Sequence, residues 1–428
     1  MFRFSYVIAG LVAAVALSAC ARPFSNTIPS QAAFVRARAS FGLPADYALL
    51  HRFGPDTPSW PDGLARFKKT FYGVLRFGGT HNMGAVFTAT DSGRVRIVYN
   101  FGTNGGRNDA GGPVGPLVDV GGVLYGLGSS GGTNRSGAIY RITPSGDERV
   151  IYSFRVRTHD GLEPWGGLVA IGNTLYGITT QGGMHDRGTI FSVTTTGTER
   201  ILHRFAGYTD GGGPQWALES LDGVLYGTTG YGGGAHKEFS GCGTIFRVDP
   251  SGERYRVLYR FHGRSNGCGP SSKLVAVRGA LYGTTYNGGN CKLPSGSCGT
   301  IFRITPNGAE SVVYRFQGRK DGDGPAGLIA VTDTLYGMTL GGGAAGSKEY
   351  CGIGHGCGTL FSIDASGRSE RILHAFAGDR DGTGDGSLLN ADGRLYGLTL
   401  NGGSGETLEC GRQEYGPTGC GTIFGMKL

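Results

Sequence analysis

The sequence has no helical periodicity, no nucleophile elbow, no HExxH helix and no phosphate loop, and its basic residues come singly rather than in runs. The first absence excludes a helical or α/β body. The next three remove the motifs that most directly declare hydrolase, metalloprotease or nucleotide chemistry. A net charge of +8 spread over 428 residues forms neither the stripe nor the reading module of a nucleic-acid binder, so no nucleic acid is expected as a partner. The apolar run at the front, Val7 to Leu17, is too short and too abruptly followed by polar sequence to span a membrane. Tryptophan is scarce, with three in the whole chain, and their positions therefore carry information.

What is abundant is glycine, 83 residues, together with 22 Phe and 20 Tyr. So much glycine without order would signal low complexity. Here it recurs at fixed places. An "LYG" phrase or its variant has its Tyr at 72, 125, 176, 226, 282, 336 and 396, with spacings of 53, 51, 50, 56, 54 and 60. In the unit Gly166 to Phe205, four short apolar runs (168–171, 174–180, 188–194 and 199–205) are divided by turn chemistry. Gly172-Asn173, echoed by Gly121-Gly122, Asp222-Gly223 and Asp392-Gly393, suits a two-residue hairpin, and "TPSG" or "DPSG" suits a Pro/Gly turn.

Four strands in a meander, repeated seven times, predict an all-β, seven-bladed β-propeller of four-stranded antiparallel blades. A β-solenoid is the rival, but its repeats are usually about half as long. The stretch "ALLHRF", Ala48 to Phe53, repeats the fourth run of later units with nothing of its own unit before it, whereas the seventh unit stops soon after "GTIF" at Gly421 to Phe424. The expectation is that residues 47–53 complete the last blade and close the ring, since a paired edge is a protected one.

The residues "LYGTT" with "GG", "GCGTIFRV" and "VLYRF" also resemble the tandem repeat of bacterial exported proteins of the Gloeobacter/Verrucomicrobia (GloVer) type, over nearly everything after residue 47. That resemblance implies an exported, surface-anchored repeat protein and no particular chemistry. The front of the chain departs from it: Leu17-Ser18-Ala19-Cys20 resembles a bacterial lipobox. The implied organisation is a lipoprotein signal peptide over 1–19, a lipidated Cys20 leading a tether over 20–46, and the propeller over 47–428. Ala21 stands where an inner-membrane retention signal would have Asp, which favours an outer-membrane anchor, periplasmic or at the cell surface. An ordinary secretory signal cleaved nearby is the alternative. Several acyl chains at roughly 0.8 kcal/mol per buried CH₂ would make the attachment durable, and the membrane is met through them alone.

Strand order places the second-to-third and fourth-to-first loops on one face, where the long, Cys- and Asp-rich segments gather and function more often resides. Eight cysteines besides Cys20 allow 105 pairings. The blade arrangement selects Cys291 with Cys298, Cys351 with Cys357 and Cys410 with Cys420 inside single loops, and Cys242 with Cys268 between two. His51, His203 and His374 share a fourth-run position with Tyr99, Tyr152, Tyr259 and Tyr314, and are read as packing residues. His81, His185, His236, His355, His159 and His262 lie in loops on different blades. Asp379, Asp381 and Asp385 in "DRDGTGDG" space three carboxylates as a calcium loop does, with weaker echoes at Asp321 with Asp323, Asp160 and Asp210; Asp-Gly turns account for the same residues without an ion. Trp60, Trp165 and Trp216 each precede an inner strand and would either stack on sugar rings at the channel mouth or plug the core.

The expectation that follows is a monomeric, envelope-anchored binding propeller without catalysis, taking a carbohydrate or surface glycan on the long-loop face through the three tryptophans. The alternatives are a scaffold for an envelope protein, or a lyase or hydrolase at the channel mouth. Fold alone licenses no chemistry.

Overall fold

A computed structural model describes residues 46–428, apart from 55–56, 58, 104–107, 156–159, 235–240, 264, 290, 292–297, 319, 344–355, 379, 385 and 403–419. The signal, Cys20 and the tether fall outside the described residues. Those described hold seven antiparallel sheets and no α-helix, a seven-bladed β-propeller.

Blade 3 shows the plan: Gly161–Ile171, Thr174–Gly182, Thr189–Thr194 and Glu199–Arg204 run as a meander from inner to outer strand. Blades 1, 2, 4, 5 and 6 repeat it over 59–100, 110–153, 219–260, 268–315 and 323–375. In blade 5 the inner strand is split into Cys268–Pro270 and Val275–Val277. Blade 7 joins Leu388–Ala391, Arg394–Thr399 and Thr422–Lys427 to Tyr47–Arg52. Tyr47 lies opposite Met426 and Arg52 opposite Thr422, and the Phe53 N–H donates to the Gly421 carbonyl at 3.0 Å. The ring is thus closed by the strand from the opposite end of the chain.

The core lies between blades. The Phe that ends each outer strand meets the aromatic of the next blade's third strand, mostly edge-on: Phe101 with Tyr140 at 4.9 Å between ring centres, Phe154 with Phe191 at 5.2 Å, Phe261 with Phe302 at 5.1 Å, Phe376 with Phe424 at 5.7 Å, and Phe53 with Phe87 at 5.4 Å across the closure. Such pairs add about 0.5–1.5 kcal/mol each beyond burial. They also explain the glycine of "LYG". Gly283 lies opposite Phe302, and a methyl group added to it would stand 2.5 Å from Phe302 Cζ. The same holds at Gly73 against Phe87 and Gly397 against Phe424, at 2.3 and 2.1 Å. The residue is small because a ring occupies its side-chain space.

A second circuit is polar. The outer-strand Tyr or His hands its polar atom to the acid of its own "DG" loop: Tyr152 Oη donates to Asp160 at 2.7 Å, Tyr314 to Asp321 at 2.8 Å, and His374 Nε2 lies 2.6 Å from Asp381. Four residues before each Tyr or His stands a residue that faces the preceding blade's pair. Where that pair contains Tyr, it is Glu: Glu148 beside Tyr99 and Asp109, Glu199 beside Tyr152 and Asp160, and Glu310 beside Tyr259. Where the pair contains His203 or His374, the residue is Tyr and the rings stack, Tyr255 on His203 at 3.5 Å and Tyr47 on His374 at 3.8 Å; after His51 of blade 7 the position is Val95.

Burial, then the neighbouring Asp109, pushes the Glu148 carboxyl up to about 8. A carboxyl whose folded pKa is raised favours the folded state at low pH, and that advantage is lost as pH climbs from about 4.5 through 8. Glu148→Gln should therefore stabilise the protein by about 1–2 kcal/mol at pH 8.5, after allowance for solvent screening, and by little at pH 4.5. Thermal melts at the two pH values check this; an equal change at both would show that Glu148 titrates normally.

Candidate channel-mouth site

In blades 1 to 6 the segment leading into the inner strand carries the same device, a residue with left-handed backbone followed by Pro. In blades 2, 4, 5 and 6 the left-handed residue is Gly112, Gly213, Gly269 and Gly324, with φ of 53°, 56°, 65° and 61°. Its N–H donates to a carbonyl of the previous blade's second-to-third loop: Gly112 to Met83 at 2.9 Å, Gly213 to Arg187 at 2.9 Å, Gly269 to Cys242 at 2.8 Å, Gly324 to Cys298 at 3.1 Å. The two classes of long loop therefore do share one face, around the mouth.

In two blades a side chain replaces the glycine. Trp60 has φ of 61° before Pro61, and Glu163 has φ of 53° before Pro164. Positive φ is uncommon outside glycine, and a following Pro restricts the residue further. Glu163 lines a cleft of about 380 Å³ together with Arg76, Phe77, Asn82, Met83, Gly112, Ser129, Ser130 and Trp165; Trp60 is not in that lining and meets it only through Arg76, whose guanidinium carbon lies 5.9 Å from its ring centre.

Arg76 occupies the second-strand position three residues after the "LYG" glycine, held elsewhere by Ser129, Thr180, Gly230, Tyr286, Leu340 and Leu400. Its guanidinium carbon sits 4.3 Å from the Trp165 ring centre, 5.4 Å from Phe77 and 5.9 Å from Trp60, while Trp60 meets Phe77 edge-on at 5.2 Å. Burial lowers the Arg76 pKa and Asp62 opposes the shift. Burial likewise raises Asp62, whose carboxylate accepts the Gly115 N–H at 3.2 Å. Glu163 is raised by burial and then by Asp186, and its Oε2 accepts from Gln181 at 2.8 Å.

The expected site residues are thus distributed unevenly. Trp60 and Trp165 come together through Arg76. Trp216 is not part of that lining; its indole N–H donates to the Pro270 carbonyl at 3.0 Å, tying blade 4 to blade 5. The three lie one residue before, one after and two after the proline position, so each projects differently. Asp379 and Asp385 lie outside the described residues. Asp381 is turned inward, with one oxygen toward His374 and the other accepting the Ala377 N–H at 2.8 Å. Among the described residues no cluster of His, Cys, Asp and Glu could hold a metal ion. His159, His236 and His355 are outside the described residues.

Cys242 is bonded to Cys268, with 4.4 Å between Cα atoms, and Cys291 to Cys298, with 5.8 Å. Cys357 and Cys420 are also in disulfides; Cys351 and Cys410 lie outside the described residues. No helix among the described residues is long and apolar enough to cross a membrane. The disulfides suit an exported protein.

Sequence reasoning missed Arg76, for which no signal exists beyond its departure from a ring of uncharged equivalents. It also overlooked that Gly128-Ser129-Ser130-Gly131-Gly132 spells Gly-x-Ser-x-Gly. These residues end a strand within Val123–Gly131 and lead to no helix, so the expectation of no nucleophile elbow stands on structure rather than on spelling. Ser129 Oγ donates to the Gly112 carbonyl at 2.8 Å.

The sequence profile of the Gloeobacter/Verrucomicrobia repeat matches residues 44–238, 113–351 and 238–410. No curated protein matches the chain. Among solved structures it is similar to the computationally designed Ika8 protein, at 12% identity and a TM-score of 0.48 over 89% of this chain and 99% of that one. It is similar to a gluconolactonase from Xanthomonas campestris at 14% identity and 0.41, covering 89% of each. Puromycin hydrolase is 11% identical with a TM-score of 0.50, over 80% of this chain and half of that one. At these identities the likeness concerns fold alone.

Proposed function

The chain belongs to the Gloeobacter/Verrucomicrobia repeat family, and from that premise we propose that it is a cell-envelope lipoprotein, anchored through Cys20 and a tether over residues 20–46, whose propeller binds carbohydrate in the Trp60–Arg76–Trp165 cleft. The carrying observation is the misplaced strain. Trp60 and Glu163 hold left-handed backbone where four other blades use glycine; Glu163 lines the cleft, and Trp60 lies beside Arg76, which lines it. Strain of this kind costs about 1–3 kcal/mol and survives where a side chain is needed for a task. Indole faces, hydroxyls of Ser129 and Ser130, and the Asn82 amide are the groups that bind sugar rings and their hydroxyls.

The test separates stability from binding. Glu163→Gly relieves the left-handed carboxylate side chain and should raise stability by about 0.5–1 kcal/mol while weakening glycan binding on an array. Trp165→Ala should abolish array binding with the fold retained by circular dichroism. Absence of any saturable glycan binding by the folded Ala21 to Leu428 form would sink the reading.

A second reading has its own observation. Tyr286 and Leu340 are 49% and 37% exposed and both approach Gly324, so blades 5 and 6 present an apolar spot on this face that suits an envelope protein partner. Tyr286→Ser with Leu340→Ser would then abolish partner capture and leave glycan binding intact.

A further inference from the structure

Arg76 is the oddest charge in the molecule. A guanidinium removed from water normally gains a carboxylate. Among the described residues no acid lies within ion-pair distance of Arg76, and its Nε is buried with no hydrogen-bond partner. Asp62 attracts the guanidinium through space and accepts the Gly115 N–H, and Glu163 accepts the Gln181 amide; neither forms an ion pair with Arg76. Its guanidinium carbon lies over the Trp165 ring, 4.3 Å from the ring centre, so the indole supports the group from one side. A guanidinium held against an indole and without an ion pair suits a planar oxyanion, which its fork can bind bidentately.

We propose that the cleft selects an acidic glycan, a sugar whose carboxylate or sulfate docks on the N–H groups of Arg76 while its ring rests among Trp165, Ser129, Ser130 and Asn82. This rests on the carbohydrate reading above and narrows it. A neutral sugar leaves the half-buried guanidinium with only the through-space attraction of Asp62, whereas an oxyanion adds a directly bonded partner. The volume, about 380 Å³, falls within the roughly 300–1,000 Å³ of small-molecule sites, so the site takes one acidic residue of a chain rather than an extended segment.

The experiment is calorimetric titration of the soluble Ala21 to Leu428 chain with oligogalacturonate, with its carboxyl-reduced counterpart and with a sulfated oligosaccharide. Oligogalacturonate or the sulfated sugar should bind at least about tenfold more tightly than the reduced form, and which of the two does so identifies the anion. Arg76→Gln should lose about tenfold or more. Arg76→Lys should recover only part of that, because a point charge does not reproduce a bidentate fork. Arg96→Gln removes an exposed charge from an outer strand of blade 1 and should change nothing. Equal affinity for acidic and reduced sugars, with Arg76→Gln unaffected, would overturn acid selection while leaving carbohydrate binding in place. Equal losses in Arg76→Gln and Arg96→Gln would overturn it too, as general attraction to a basic protein. Silence toward all three sugars from folded protein would overturn both readings together.

Discussion

A chain beginning at Gly54 is expected to lose its cooperative thermal transition and to aggregate. The missing strand pairs with Thr422–Lys427 from Tyr47 to Arg52, but its side chains reach further. Phe53, 2% exposed, packs on Phe87 of blade 1, and Tyr47, 5% exposed, stacks on His374 of blade 6. One strand therefore joins three blades. Losing two buried aromatics costs about 3–5 kcal/mol each by analogy with core truncations, and the exposed ladder of Thr422–Lys427 becomes a template for intermolecular pairing. The sum is comparable with a whole domain's net stability of about 5–15 kcal/mol. Size-exclusion chromatography and melting curves check the result, and a synthetic Tyr47 to Phe53 peptide added in excess should restore the monomer. A melting point for the truncated chain within a few degrees of the intact one would show that seven blades hold without the closure.

The second large effect is steric. Gly283→Ala puts a carbon 2.5 Å from Phe302 Cζ, well inside contact distance. Phe302 is held on its other side by Phe261 at 5.1 Å and is fully buried, so it has nowhere to retreat. Overpacking of this kind costs about 1–3 kcal/mol. Phe302→Leu alone leaves a cavity and should cost about 1–3 kcal/mol. The double variant should cost clearly less than the sum, since the smaller side chain releases the clash. Additive losses in urea unfolding would mean that the "LYG" glycine serves its backbone and not the ring opposite. The same pairing at Gly73, Gly126, Gly177, Gly227, Gly337 and Gly397 makes the motif a statement about the next strand rather than about its own turn.

Some of this was legible in the sequence and some was not, for identifiable reasons. His203 and His374 read correctly as members of the Tyr position, because the repeat aligns them. Their partners did not, because Asp210 and Asp381 lie in loops where the "DG" spelling is equally satisfied by a turn. The acids prove to cap the outer strand: Asp160 accepts the Arg155 N–H and Asp321 the Gln317 N–H, at 3.0 and 2.9 Å, besides the ring hydroxyls. The rule that Tyr faces Glu, while His203 and His374 face Tyr, in the next blade needs two units side by side in space, and no reading of a single unit contains it. The tryptophans were noticed for scarcity, and only the coordinates separate Trp60 and Trp165, which share Arg76, from Trp216, whose indole is bonded to Pro270.

The sequence by itself determined the number of blades, the four-strand order within each and the strand that closes the ring. Strand order within a blade depends on turn chemistry and short apolar runs, which act between residues near one another in the chain, while the blade number and the closing strand were legible because the repeat spells out each unit and leaves Ala48 to Phe53 as an unmatched fourth run. Only the tertiary structure decided which face carries a site and which residues compose it. Arg76 and Trp165 are on a second strand of blade 1 and an inner strand of blade 3, and only the ring arrangement of blades brings them together. Whether Arg76 has a direct partner is likewise a property of its surroundings: an indole beside it and two acids hydrogen-bonded elsewhere leave it without an ion pair among the described residues, and none of this is written at position 76.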